Sequence, residues 1–464
     1  MRWSLSDVLA ATAGQLLAGS PATVFSGVGT DSRHLPSGAL FVPIRATRDG
    51  HDFLTDAVSA GAAGCLVESG HPSTSCLPPG TAVAVADTGA ALLDLGRAAR
   101  RRLPGPVVGI TGSVGKTSTK DFLAGVLATT WRVAASEQSF NNELGVPLTL
   151  ANAAEDTEVA VVEMGARGIG HIALLCDVTR PTIAVVTAVA AVHTQLLGGL
   201  EQIARAKAEL VDAVPPDGTT VLNADDPRVS AMATRTTARV LRYSALGRQD
   251  ADVVADDICL GDDLRPRFRL RSPWGDTEVL LGTRGAHQVG NALAAAAAGL
   301  ACGTPLEAVV SGLAASAVSH WRMELARTAS GAQVINDAYN ANPVSVAAAL
   351  HALARLPARR RVAVLGEMAE LGSEFADEHR AVAALATQLG VELVAVGTPA
   401  YGVTPVDDVE AAVGALGVLG PGDAILVKGS RVAGLERLAQ RLCIQPGAGA
   451  GAGAGTGAAG APRQ

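Results

Sequence analysis

The stretch 107-VVGITGSVGKTSTKDFLAGVLA-128 decides how the rest of the chain is read. It sets a short apolar run, a glycine-rich turn and an Ala/Leu-rich run in direct succession, which predicts strand, loop and helix. Gly112 and Gly115 let backbone N–H groups close around phosphate oxygens, and the helix behind them adds the positive end of its dipole. Lys116 can reach the β- and γ-phosphates, and the Thr117 hydroxyl can sit on Mg²⁺. The strict spacing GxxxxGK[ST] is missed by one position, since residue 110 is Ile and the glycine is Gly109. A glycine-rich turn opening a helix can be purely structural. Gly-Lys-Thr directly behind an apolar strand points instead to a nucleotide site, formed by Gly112, Ser113, Val114, Gly115, Lys116, Thr117 and Ser118.

Outward from this stretch the pattern repeats. VAVVEM precedes IALLCDV, and TIAVVTAV precedes QIARAKAELVDAV. That alternation predicts parallel sheets with crossover helices, an α/β architecture. In such sheets chemistry gathers at the carboxyl ends of strands. Glu163 ends one strand and His193 lies a few residues past the next. Alone, the glutamate could cap a helix and the histidine could simply pack. In one series with the phosphate loop they are candidate metal ligands.

Lysine usage adds a second signal. The chain has four lysines, Lys116, Lys120, Lys207 and Lys428, among 37 basic Lys and Arg residues. Lys207 sits in 200-LEQIARAKAELVDAV-214, an amphipathic helix by pattern, two positions after Arg205. It could be an ordinary solvated lysine. Burial, however, can turn a lysine into a neutral, nucleophilic amine, which guanidinium does not become.

The 464 residues suggest about three domains. A net charge of −7 with a pI near 5.7 offers no basic patch on the scale that nucleic-acid binding needs. No signal peptide and no apolar run of membrane-spanning length is evident, and the six scattered cysteines form no CxxC pair. These features predict a cytoplasmic protein with reduced thiols and no membrane insertion. Arg100-Arg101-Arg102-Leu103-Pro104 interrupts the pattern, a polar, strand-rich stretch occupies residues 240–285, and a second βα series restarts at 333-QVIND-337. Domains are therefore expected at 1–102, 103–317 and 318–445, followed by a disordered Gly/Ala tail at 446–464.

Several further motifs occur in order: 30-TDSR-33, 49-DGHDF-53, 140-FNNELGVPLTL-150, 163-EMGARGIGHI-172, 222-LNADDP-227, 287-HQVGNALAA-295, 338-AYNANP-343, 365-LGEMAELG-372 and 428-KGSR-431. With the phosphate loop they resemble the Mur ligases of peptidoglycan synthesis, over nearly the whole chain except the tail and residues around 240–280. YNANP and GEMAELG are more specific to the branch that adds D-alanyl-D-alanine. The resemblance implies an N-terminal UDP-substrate domain, a central ATPase and a Rossmann-like C-terminal domain. It implies an ATP-dependent, ADP-forming ligase, a monomer, that joins D-Ala-D-Ala to UDP-N-acetylmuramoyl-tripeptide through an acyl phosphate, the last cytoplasmic step of precursor synthesis.

By the same resemblance, Thr117 and Glu163 hold one Mg²⁺ and His193 and Lys207 a second, with Lys207 carbamylated. Asn291 and Asp337 look like nucleotide contacts, and Arg322 like the arginine that reaches the ATP phosphates when domains close. Ser32 and Arg33 resemble the grip on the UDP-sugar, and Asn141 and Asn142 the substrate side. Lys428, with Asn340 and Asn342, resembles the part that binds the incoming dipeptide. Three departures concern substrate placement: no acidic residue soon after His193, Asn336-Asp337 where two aspartates are usual, and Gly170-His171-Ile172 where a helix usually opens on Gly-Glu-Ile. The alternatives are a related Mur-type ligase for another peptide and amine, or a P-loop kinase, which leaves a separate third domain unexplained.

Overall fold

The computed structural model describes residues 1–137, 139–190, 199–316 and 319–443. The expectations for His193 and for the tail at 446–464 lie outside the described residues. The chain divides into two compact units, Met1–Ser319 with Glu370–Ser373, and His320–Ala369 with Glu374–Gln464.

The strand Val107–Thr111 is buried along its whole length. Strands covered on both faces read as continuous apolar runs rather than alternating ones, which is why VVGIT lacks a polar face. It lies inside a nine-stranded sheet. On one side it pairs in parallel with Val159–Glu163, with Glu163 opposite Ile110. On the other side it pairs in parallel with Ile183–Val186, with Val186 opposite Thr111. The phosphate loop thus leaves the sheet where successive crossovers diverge, the switch point at which open α/β sheets bind ligands.

Beyond Ile183–Val186 the sheet continues through Thr219–Asn223, Arg239–Ser244 and Val253–Leu260, all parallel, and ends in the antiparallel strands Pro266–Ser272 and Gly275–Leu280. In PRFRLRS the exposed Arg267, Arg269 and Arg271 alternate with buried Phe268 and Leu270. One face is solvated, which explains the polar, strand-rich stretch that breaks the βα pattern. The helix Lys116–Leu127, here the loop helix, is covered by Gln288–Ala301, whose Ala294 to Ala298 are fully buried.

A second, five-stranded sheet in the same unit has the order Gln15–Ala18, Thr81–Val85, Gly64–Glu68, Leu40–Phe41, Val28–Gly29. Helix Thr88–Arg102 packs against Gly145–Ala151 and His171–Thr179, and one apolar core runs from Trp3 and Phe25 through Leu92 and Leu95 to Val146, Leu150 and Val178.

The second unit has its own five-stranded sheet, ordered Glu324–Arg327, Gln333–Asn336, Asp423–Lys428, Arg360–Leu365, Glu392–Ala395. Four strands are parallel and the first is an antiparallel edge. The α/β class expected from the alternating runs is what the chain adopts. All six cysteines are unbridged. Among the described residues no helix is long and apolar enough to cross a membrane.

Candidate active site

Two glycines make the phosphate loop possible. Gly112 has φ +151° and Gly115 φ +86°. A Cβ on Gly112 would stand 1.8 Å from Thr187 Oγ1, and one on Gly115 2.3 Å from Asn291 Oδ1. No side chain fits either place. The loop is tied to the end of the next strand: Thr187 Oγ1 donates to Val114 O at 2.6 Å, Ser113 N to Ala188 O at 2.7 Å, and Ser113 Oγ to Ala190 O at 3.0 Å. Lys116 Nζ donates to Gly112 O at 2.8 Å, so its ammonium lies over the loop. Thr117 and Ser118 are buried in the first turn of the loop helix. Asn291, expected as a nucleotide contact, stands against this loop, 3.5 Å from Thr119 Oγ1.

Glu163 closes the adjacent strand and is 1% exposed. Its Oε1 accepts from Asn141 Nδ2 at 2.8 Å, while its Oε2 is buried with no hydrogen-bond partner. A buried carboxylate oxygen without a donor is costly unless something positive meets it. Carboxylate and hydroxyl oxygens are the ligands Mg²⁺ prefers. The orphaned Oε2 of Glu163, beside the strand that leads into Thr117, therefore fits a Mg²⁺ ion.

Lys207 lies on helix Leu200–Asp212 and is 4% exposed. Burial, reinforced by the nearby Lys116 ammonium, holds its amine well below the usual lysine range. A shift in that direction favours the neutral amine, the form in which a lysine can act as a nucleophile. One further carboxylate–histidine group, Asp49–His51–His71, lies within metal-ligand distances. Its protonation argues against that use. His51 Nε2 accepts Glu68 N–H at 3.1 Å and His71 Nδ1 accepts Ser73 N–H at 3.2 Å, so the other ring nitrogens carry the protons and face Asp49.

Of the other expected residues, Asn142 accepts from Gly145 N at 2.9 Å at the start of Gly145–Ala151. Ser32 and Arg33 lie on the turn Ser32–His34, where the exposed Arg33 forms a two-point pair with Asp31. In the second unit, Lys428 Nζ is 2.6 Å from Asp337 Oδ2 and 2.9 Å from Asn340 O, all but sealed from solvent. Asp337 Oδ1 also accepts Met323 N–H at 3.1 Å. The residues expected to contact nucleotide and dipeptide are thus bonded to each other, and they fix the loop 337–342. Asn342 forms a capping box with Ser345 at the start of Pro343–Arg355. Arg322 lies over Tyr339, 4.2 Å from the ring centroid, and its Nε is buried without a hydrogen-bond partner. It is flanked by Trp321 at φ +62° and Met323 at φ +53°. Non-glycine residues in the left-handed region on both sides of one arginine are a strain found mainly at functional segments.

Sequence reasoning missed Thr187, Ser136 and the role of Lys120. The rarity of lysine pointed to Lys120, but nothing in the sequence named its partners. Its Nζ donates to Ser136 O at 2.8 Å and pairs with Asp121 at 2.8 Å, and Ser136 Oγ accepts the Glu163 N–H at 3.3 Å. Asp121 Oδ2 in turn accepts both Ser319 N–H and Ser319 Oγ–H at 2.7 Å. Removing one member of a buried ion pair costs about 3–5 kcal/mol. Lys120→Met should lower the urea midpoint of the full chain accordingly, and adding Asp121→Asn should recover part of the loss. A double variant no more stable than the single one would contradict this assignment.

A strand, a phosphate-cradling loop and a metal-ready carboxylate at a switch point define a P-loop enzyme of phosphoryl transfer, here followed by a second α/β unit. Comparison with known proteins narrows that class. Residues 110–299 match the Mur ligase middle domain, and residues 321–431 the Mur ligase glutamate ligase domain. The chain is 42% identical to the UDP-N-acetylmuramoyl-tripeptide–D-alanyl-D-alanine ligase of Mycobacterium tuberculosis H37Rv, over 89% of this chain and 91% of the relative. It is 35% identical to the Escherichia coli K12 protein of the same name, over 89% and 93%. A crystal structure of MurF from Acinetobacter baumannii superposes with a TM-score of 0.86 at 29% identity, covering 95% of this chain and 99% of that one. MurF of Thermotoga maritima in complex with ADP gives 0.78 at 25% identity, covering 90% and 96%. The chain belongs to the Mur ligase family.

Proposed function

We propose that this chain is the ligase that joins D-alanyl-D-alanine to UDP-N-acetylmuramoyl-tripeptide at the expense of ATP, in the cytoplasm. The relatives that match it over 89% of its length carry that activity in their names. The site observation that carries the chemistry is the orphaned Oε2 of Glu163 beside the phosphate loop. Three functional domains follow, at 1–102, 103–317 and 318–445.

The tripeptide's terminal carboxylate attacks the γ-phosphorus of ATP, ADP leaves, and an acyl phosphate forms. The dipeptide amine attacks the acyl carbon, loses a proton, and the tetrahedral adduct collapses to an amide and phosphate. Lys116 and the N–H groups of residues 112–118 stabilise charge on the phosphoryl group in flight. Thr117 and Glu163 would hold a Mg²⁺, which neutralises phosphate oxygens when bound. Asn141 orients Glu163 through Oε1. Lys207, as its carbamate, would supply an oxygen ligand toward a second ion with His193. Asn291 bears on the nucleotide beside Gly115, Arg322 is the arginine donated to the ATP phosphates, and Ser32 and Arg33 grip the UDP-sugar. Lys428 and Asp337 hold the loop that presents Asn340 toward the dipeptide.

ADP release should require the UDP-muramoyl tripeptide, and D-Ala-D-Ala should be the preferred amine in a panel of acceptors. Better turnover with single amino acids would leave the ligase class standing and overturn this substrate assignment.

A further inference from the structure

Helix His171–Thr179 opens on Gly170, which is left-handed at φ +90° and offers no side chain as a cap. Its first turn contains no acidic residue either. The first N–H groups of a helix need an acceptor from elsewhere. Here the acceptor comes from another helix. Glu209 Oε1 accepts Gly170 N–H at 2.6 Å, and Glu209 Oε2 accepts Ala173 N–H at 2.9 Å. Both oxygens of one half-buried carboxylate are used on one helix terminus, where negative charge is also favoured by the dipole.

The position of this cap matters more than its strength. Glu209 is two residues past Lys207 on Leu200–Asp212. Gly170 ends the segment 164–170 that leaves the strand directly after Glu163. The root of that segment is fixed: Met164 N donates to Ile110 O at 2.8 Å, and Thr111 Oγ1 to Met164 O at 2.9 Å. One carboxylate therefore bolts the element carrying Lys207 to the element carrying Glu163. A carboxylate carried on the helix's own first turn would also place negative charge at this terminus without making that connection.

We propose that Glu209 is a positioning residue for the metal site, setting the placement of Lys207 relative to Glu163; this rests on the assignment of those two residues to metal binding made above. Both of its carboxylate oxygens are spent on the helix terminus, so it acts through the elements it joins. Groups that orient metal ligands from behind typically change metal affinity 10–100-fold when removed.

The test is Mn²⁺ binding to the full chain with ADP present, followed by electron paramagnetic resonance, in Glu209→Gln, Glu209→Gln/His171→Glu and Lys207→Ala. The glutamine keeps one acceptor but turns its NH₂ toward a backbone N–H. Glu209→Gln should weaken Mn²⁺ about tenfold, while ADP affinity without metal stays unchanged. His171→Glu restores a carboxylate to the first turn, so the double variant should regain thermal stability without regaining Mn²⁺ affinity. A Glu209→Gln protein with a lowered melting temperature and an unaltered Mn²⁺ isotherm would make Glu209 a cap only and overturn the proposal. Recovery of Mn²⁺ affinity in the double variant would overturn it equally. If Lys207→Ala binds Mn²⁺ as the wild type does, the assignment of Lys207 fails and takes the proposal with it; weakened Lys207→Ala beside normal Glu209→Gln overturns the proposal alone.

Discussion

Lys116→Ala is expected to cut kcat by at least about 10²–10³-fold at saturating ATP, equivalent to about 2.7–4 kcal/mol of lost transition-state stabilisation. The cause is electrostatic. The loop amides point partial charges at the phosphates, but Lys116 is the only full positive charge that the segment 112–118 contributes. Its ammonium is already drawn over the loop by Gly112 O. The loop itself should survive. Its shape is held by Thr187 on Val114 and by Ser113 on Ala188 and Ala190, none of which involves the lysine side chain. ADP binding and the melting temperature should therefore change far less than kcat, and a variant with more than about a tenth of wild-type turnover would remove Lys116 from the phosphoryl-transfer role.

The fold was legible wherever local pattern and tertiary environment agree. VVGI, VAVV and IAVV are runs without a polar side chain because parallel strands are covered on both faces, and the structure buries each of these strands throughout. The phosphate loop was legible for the same reason, since its requirements are local: glycines at two positive-φ positions, a lysine, a hydroxyl. Glu163 was legible as a strand end. What was not legible is what only tertiary contact decides. Nothing in the sequence says that Asn141 orients Glu163, that Lys120 reaches Ser136, or that Glu209 caps a helix some 36 residues upstream. Lys428 and Asp337 could be picked as polar residues in strand-end motifs, but their pairing appears only when Asp423–Lys428 is seen beside Gln333–Asn336 in the sheet. The strain at Trp321 and Met323 is equally invisible, because neither residue type advertises a left-handed backbone.

Lys207→Arg should be nearly inactive, losing roughly two orders of magnitude or more in turnover, although it preserves formal charge. The sequence raised the question by writing lysine in a helix whose neighbouring cation is arginine. The structure buries that lysine almost completely and sets it near Lys116, so that carrying a proton costs both desolvation and repulsion. A neutral primary amine can add CO₂ and release a proton, becoming a carbamate whose oxygens suit Mg²⁺. Guanidinium stays protonated under the same pressure and cannot follow it. Arginine would place a second permanent cation beside Lys116 where an anionic ligand is wanted, inverting the local charge instead of conserving it. Lys207→Ala separates this from a packing effect: it removes both charge and amine, and a small carboxylate added to the assay should restore part of its activity by standing in for the missing oxygens. Carbon-13 NMR of the wild-type chain equilibrated with labelled bicarbonate should show a carbamate resonance that Lys207→Ala lacks. A fully active Lys207→Arg enzyme, or a carbamate signal that persists in Lys207→Ala, would sink the assignment.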